Sequence, residues 1–429
     1  MNPHPASLKL SLWDAFFFSL MIGAGETYLP AYALASGMSE WLTGIFATAP
    51  LMSGAILQLA SPWLLARVGS IQKWVVGSAF VQAISFLPFL YFSIHPTLNF
   101  FWLFLAASIY WAAGFAAGPS WNFWMGQLIP EDAAAHFFSK RHRISQIGIL
   151  LGLVGGGLAL HWKIQMGPFI SVFSFLFFLS FLSRSLSSLF LFFKQNSPPV
   201  PDVAHSFRQI LALRKLRTHR SFFGFLFFFY ISIYISSPFV TPFFLEKLKL
   251  DYDQYMVALA ALFLAKIAVL PLAGPLMKNF GVKRVFFWGA MGIAPLPALW
   301  ALNHQMWFVM SVQAVSGAFW GLFEVSLSVT FFNQIKDSQK IILLTAYNFF
   351  NATAMILGSL IGGEILQHSV GSASSYFFIF VFGASMRCLL VIAYALRTRR
   401  RVHLLGTSED IEHQNETYGG PLSKHLKIS

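Results

Sequence analysis

Two carboxylates stand inside long apolar runs of this chain, Glu26 within approximately 12–36 and Glu324 within approximately 307–332. A carboxylate at the depth of a hydrocarbon layer costs several kcal/mol unless it is paired, hydrated or protonated. Desolvation favours the neutral acid, and a group that can take a proton from one side and release it to the other has the property that ion coupling requires. Lys266 lies in a third apolar run. It can pair with a carboxylate, receive an anionic group of a ligand, or extend its stem toward the headgroups. The structural alternative for both acids is a hydrogen bond or an ion pair with Lys266 or Arg387. Arg387 is late enough in its run to reach the surface, and Asp14 falls in the first turn of the first run, where a carboxylate suits the helix dipole.

Helical spacing adds polar and aromatic groups to these. Tyr230, Tyr234 and Ser237 fall at i, i+4 and i+7, and Gln313, Trp320 and Glu324 share one side of another helix. Asn348 and Asn351 are one turn apart. The expected substrate or proton-coupling set is Glu26, Glu324, Lys266, Tyr28, Tyr230, Tyr234, Trp320, Asn348 and Asn351. An aromatic and amide-lined cavity suits an amphipathic or sugar-like solute, with interhelical packing as the plainer reading of each residue. The loop expected after the fourth run combines Glu131, Asp132, Lys140, Arg141 and Arg143; with Arg67 these form an expected cytoplasmic gate, against the rival of a solvated basic loop. His142 is read as another loop residue.

The elements that must position these groups follow from composition. Only 10% of the 429 residues are charged, while 56% are hydrophobic and 17% aromatic, with 49 Phe. A soluble domain carries roughly 25% charged residues, so this chain cannot cover a water-facing surface. The net charge of +13 sits in short blocks between apolar runs. That pattern argues for topology signals and against nucleic acid as a partner. Cys388 is the single cysteine, which excludes an internal disulfide. Nothing reads as a Walker lysine loop or a helical pair of histidine ligands, so neither ATP, a cofactor, a metal nor an enzymatic reaction is implied.

A bilayer core needs about 20 apolar residues per helix. Twelve runs qualify, at approximately 12–36, 41–66, 74–94, 100–127, 144–162, 168–193, 222–245, 255–277, 285–302, 307–332, 341–366 and 376–396. The first is too long for a signal peptide and reads as a retained helix. Lys and Arg, Arg184 among them, gather in alternate loops, which predicts that both termini are cytoplasmic. The expected organisation is a six-helix bundle over 1–193, a cytoplasmic linker over 194–220, a second six-helix bundle over 221–396 and a polar tail over 397–429. Within the linker, Phe207, Ile210, Leu211 and Leu216 among Arg208, Arg214, Lys215 and Arg217 could lie on an anionic leaflet as an amphipathic helix.

The two groups of six align with each other. Pro62 to Gly69 lies over Gly274 to Gly281, with Pro30 on Pro242 and Gly77 on Gly289, and Gly152, Gly156 and Gly157 fall on Gly358, Gly362 and Gly363. Around these residues the chain resembles the major facilitator superfamily, over Leu12 to Leu396. The family's loop signature after helix two keeps Arg67 and Gly69, with Pro62 and Ala66 at the Gly and Asp positions, and Gly274, Gly281, Lys283 and Arg284 look similar in the second half. The segments Gly25 to Tyr32, Gly118 to Asn122 and Phe137 to Arg143 look like an uncharacterised prokaryotic branch. The resemblance implies an all-α membrane fold of twelve helices in two bundles with a cleft between them. With the acids at membrane depth, the expectation is a secondary transporter of the cytoplasmic membrane that moves a small organic solute by alternating access, coupled to a proton or otherwise to another ion. A monomer in the lipid bilayer is expected. A multidrug exporter is the rival within transport, and a membrane sensor or membrane enzyme on the same bundle is the rival from another class.

Overall fold

In the computed structural model, residues 5–38, 40–95, 100–161, 172–194, 197–200, 220–300, 302–303, 305–334, 337–368 and 374–404 are described. They form twelve helical segments, several of them interrupted. The first six are α1 (Pro5–Ala24, continuing as Leu29–Ala35), α2 (Glu40–Leu57, continuing as Ser61–Val68), α3 (Ile71–Ile84 and Phe86–Ile94), α4 (Phe100–Gly126), α5 (Glu131–His161) and α6 (Val172–Phe193). The last six are α7 (Arg220–Tyr234, continuing through short turns to Lys247), α8 (Tyr252–Phe280), α9 (Val282–Ile293 and Leu296–Leu299), α10 (Met306–Gln334), α11 (Asp337–His368) and α12 (Ser374–Leu404). Eleven are long and apolar enough to cross a membrane, and α9 falls short because it is interrupted. Most of the expected linker and tail lies outside the described residues.

Proline decides where these helices break. A proline ring displaces the carbonyl four residues before it and offers no N–H in exchange. Pro30, Pro62, Pro88, Pro238 and Pro297 lie four residues after Glu26, Gln58, Ile84, Tyr234 and Ile293, and each of those residues stands at an interruption. α1 passes through a 3₁₀ turn at Glu26–Tyr28, and α7 through one at Ser237–Phe239. The first and seventh segments are therefore both broken, as are the third and ninth. Pro50, Pro119, Pro271 and Pro275 lie inside continuous helices.

The repeat is visible in packing. α5 lies against α1 so closely that a Cβ on Gly152 would come within 2.6 Å of the Ala24 nitrogen. On the equivalent pair, a Cβ on Gly358 of α11 would come within 2.4 Å of the Ile231 carbonyl oxygen of α7. Backbone rests on backbone, a contact that hydrocarbon cannot drive but small residues permit.

One boundary departs widely from the sequence reading. α5 begins at Glu131 rather than near Ile144, so Lys140, Arg141, His142 and Arg143 occupy a helix and not a loop. Hydropathy stops at charge, whereas a helix continues wherever its polar side finds protein to face. The two groups of six meet along α5 with α8 and α10, and along α11 with α2 and α4. At the end bearing Lys140 and Lys283, called here the inner end, a cluster that includes Leu65, Trp124 and Phe138 from the first six joins Leu270, Met277 and Phe332 from the last six. The Phe138 and Phe332 rings meet edge to face at 5.2 Å across the halves.

Gly152→Val should overpack the α1–α5 contact and lower stability by about 1–3 kcal/mol, read as a lower melting temperature in detergent, with Gly155→Val, whose Cβ direction is open, as the unaffected comparison.

Candidate functional site

Asp14 is not at a helix start. It is the tenth residue of α1, buried, and it gathers three helices. Arg141 of α5 lies 3.5 Å from its Oδ2 and Arg184 of α6 lies 3.8 Å from its Oδ1, while the Ser187 hydroxyl donates to Oδ1 at 2.7 Å. Arg184 also donates to Gln82 Oε1 of α3 at 2.8 Å and lies over the Phe18 ring. Arg184, grouped with the cytoplasmic basic residues in the sequence, is thus a membrane-depth cation. Arg141, expected in a gate, has turned inward onto Asp14 and stacks over Trp121 at 4.1 Å. Lys194, just beyond α6, sits fully buried over Trp124 at 4.1 Å, and burial pushes its ammonium down to about 7, with Asp14 opposing and Arg141 adding to the shift.

The break in α1 presents Glu26 toward the middle of the bundle. Tyr110 of α4 donates to Glu26 Oε2, and Thr27 donates to the Ile22 carbonyl freed by the break at 2.9 Å. Tyr28 is buried and donates to the Leu153 carbonyl of α5 at 2.5 Å. Across the cleft, Lys266 of α8 pairs with Glu324 of α10 at 2.8 and 3.0 Å to its two oxygens. The Tyr230 hydroxyl of α7 pairs with Tyr347 of α11, and Tyr234, one turn on, lies within electrostatic reach of both Glu26 and Glu324. Tyr234 is thus a group that both carboxylates, one from each half, influence electrostatically. Trp320 packs edge to face on Phe323 at 5.7 Å, one turn from Glu324.

The remaining expected residues divide. Asn348 donates to the Phe115 carbonyl of α4 at 3.4 Å, linking the halves. Asn351 contacts the Met355 sulfur, and its carbonyl oxygen is buried without a partner. Arg67 lies exposed over the Trp63 ring at 3.6 Å, and Lys140 and Arg143 are exposed on α5. Glu131 begins α5, with its side chain outside what is described. Ser237 is carried off the Tyr230 and Tyr234 face by the break in α7.

Arg387 does not reach for the surface. It is buried in α12 and donates to the Ser232 and Ile233 carbonyls at 3.3 and 2.9 Å and to the Ser236 hydroxyl. Those carbonyls belong to the last turn of α7 before its break, where the helix dipole is negative. The sequence reading also missed His142, whose Nε2 lies 2.9 Å from Ser328 Oγ of α10, across the two halves. Its signal was present: Ser328 is one turn from Glu324, and His142 is next to Arg141. Among the described residues, no cluster of His, Cys, Asp and Glu is arranged to hold a metal.

Residues 222–424 match the family model described as Major Facilitator Superfamily. Over the whole chain the fold superposes on solved transporters of that superfamily, among them FucP in its outward conformation, with a TM-score of 0.69, 14% identity and coverage of 92% of this chain and 98% of that one. The second half of the chain is thus similar to the superfamily's model, and the chain shares its fold. The human organic anion transporter MFSD10 matches with a TM-score of 0.66 at 12% identity, covering 92% of this chain and 99% of that one. The nucleoside transporter NupG matches with a TM-score of 0.65 at 14% identity, covering 91% and 99%. No curated protein matches the sequence. Eleven helices long and apolar enough to cross a membrane agree with a multi-pass membrane protein.

Asp14→Asn should leave Arg141 and Arg184 without a carboxylate and destabilise the protein by about 3–5 kcal/mol. Glu26→Gln, which keeps an acceptor for Tyr110, should cost about 1 kcal/mol or less. Thermal melts of the two purified variants in one detergent check the difference.

Proposed function

We propose that this chain is a secondary active transporter of the major facilitator superfamily in a cytoplasmic membrane, working as a monomer, that moves a small organic solute by alternating access with a proton as the coupling ion. The observation that supports the reading is the pair of carboxylates, Glu26 and Glu324, carried by opposite halves with Tyr234 within electrostatic reach of both. Glu26 bonds a neutral phenol, so it can exchange a proton without stranding a cation. Glu324 is held by Lys266, and protonating it or drawing Lys266 to a ligand would release the pair. Alternate release of such a pair is a means of linking occupancy to the approach of the halves.

The lining suits the same reading. Tyr230, Tyr234, Tyr347 and Trp320 offer hydroxyls and ring faces to an amphipathic or sugar-like solute, and Asn348 ties α11 to α4 close by. An organic anion transporter and a nucleoside transporter share the fold. The expected solute is one that can stack on aromatic rings while pairing with a single charge.

An uptake screen in proteoliposomes under an imposed pH gradient tests this. Wild type should accumulate its solute against a gradient, whereas Glu26→Gln and Glu324→Gln should lose accumulation and retain solute exchange. Accumulation that ignores both the pH gradient and both substitutions would end the proposal.

A further inference from the structure

His142 stands at the one place where a titratable side chain bridges the halves by a hydrogen bond among the described contacts. It lies about 16 Å along α5 from the helix start at Glu131, taking about 1.5 Å per residue. The apolar inner-end cluster closes over this level, through Phe137, Phe138 and Phe332. The hydrogen-bond pattern fixes which ring nitrogen is free. Ser328 Oγ donates its proton to the Glu324 carbonyl at 3.0 Å, so it can only accept from His142. Nε2 of the neutral ring therefore carries the hydrogen, and Nδ1 keeps the lone pair.

The charged groups that face the ring are Arg141 from its own helix and Lys266 from α8. The nearby carboxylates are already committed, Asp14 of α1 to Arg141 and Arg184, and Glu324 of α10 to Lys266. An imidazolium in the closed arrangement would thus be a third cation in a row of cations with no free carboxylate beside it. When α5 and α10 part, water reaches the ring and that repulsion is relieved.

We propose that His142 is a second proton-binding site, separate from Glu26 and Glu324, that senses the inner solution: a proton from the inner aqueous phase adds to Nδ1 once α5 and α10 have separated, and the imidazolium holds the inner end open until the proton leaves. No other bond is made or broken. The proposal rests on the alternating-access, proton-coupled reading above. It adds a regulator to that cycle, since an acidic inner side would delay the return of the empty carrier.

Distance measurement between spin labels tests it without any solute. Lys73→Cys at the start of α3 and Lys283→Cys at the start of α9 place labels on exposed inner-end residues of the two halves, in a Cys388→Ser background in nanodiscs. Lowering the pH from about 8 to about 5.5, across the range in which histidine titrates, should raise the long-distance fraction severalfold in the parent. His142→Gln should stay at the low level at both pH values, and His142→Arg should stay high at both. Ser328→Ala, which removes the bridge and leaves the ring, should raise the fraction at about pH 8 and so shrink the response. A parent without a pH response, or a His142→Gln variant that keeps it, would overturn the proposal. The label distances are read without solute and the uptake screen reads accumulation, so a failure of proton-coupled transport and a failure of the His142 site are read in separate experiments.

Discussion

A charge removed from water must be answered by another group, and here each half answers a buried arginine through its own first helix. In the first six segments the answer is a carboxylate: Asp14 of α1 receives Arg141 and Arg184, and through Arg184 the amide of Gln82 in α3 is drawn in. In the last six it is main chain. Arg387 of α12 is met by carbonyls that the proline break has released from α7. The two solutions occupy related places, a sixth helix bonded to a first, and differ in what the first helix offers.

These anchors explain how the cleft can carry acids at all. A broken helix exposes polar backbone that lipid cannot satisfy, so it persists only where protein supplies partners. Thr27 and Arg387 supply them at α1 and α7. With its break secured, α1 turns Glu26 and Tyr28 inward; α7 does the same with Tyr230 and Tyr234. Lys266 and Glu324 then need only each other, because their backbones lie in unbroken helices.

The greasy runs and their count were legible because hydropathy over about 20 residues reports membrane depth directly. Glu26, Glu324 and Lys266 were legible for the opposite reason: a charge in such a run stands out. The same contrast hid Asp14, Arg141 and Arg184, since charges near a run's end read as solvated, and only the three-dimensional meeting of α1, α5 and α6 shows them paired. His142 was hidden by a loop assignment that rested on its basic neighbours, although one of them, Arg141, points into protein. The helix breaks were readable after all. Each sits four residues before a proline, a spacing the sequence displays, but four further prolines inside continuous helices show that the spacing alone does not decide.

The glycine contacts of α5 with α1, and of α11 with α7, divide the molecule into parts that can and cannot vary. Where main chain touches main chain there is no side chain to repack, so a change of one methyl group meets a wall. The rings and hydroxyls around Tyr230 and Trp320 have no such constraint. A lineage descended from this architecture would therefore inherit its small residues almost unaltered while its lining drifts, and cargo preference could be rewritten without disturbing the frame that carries it.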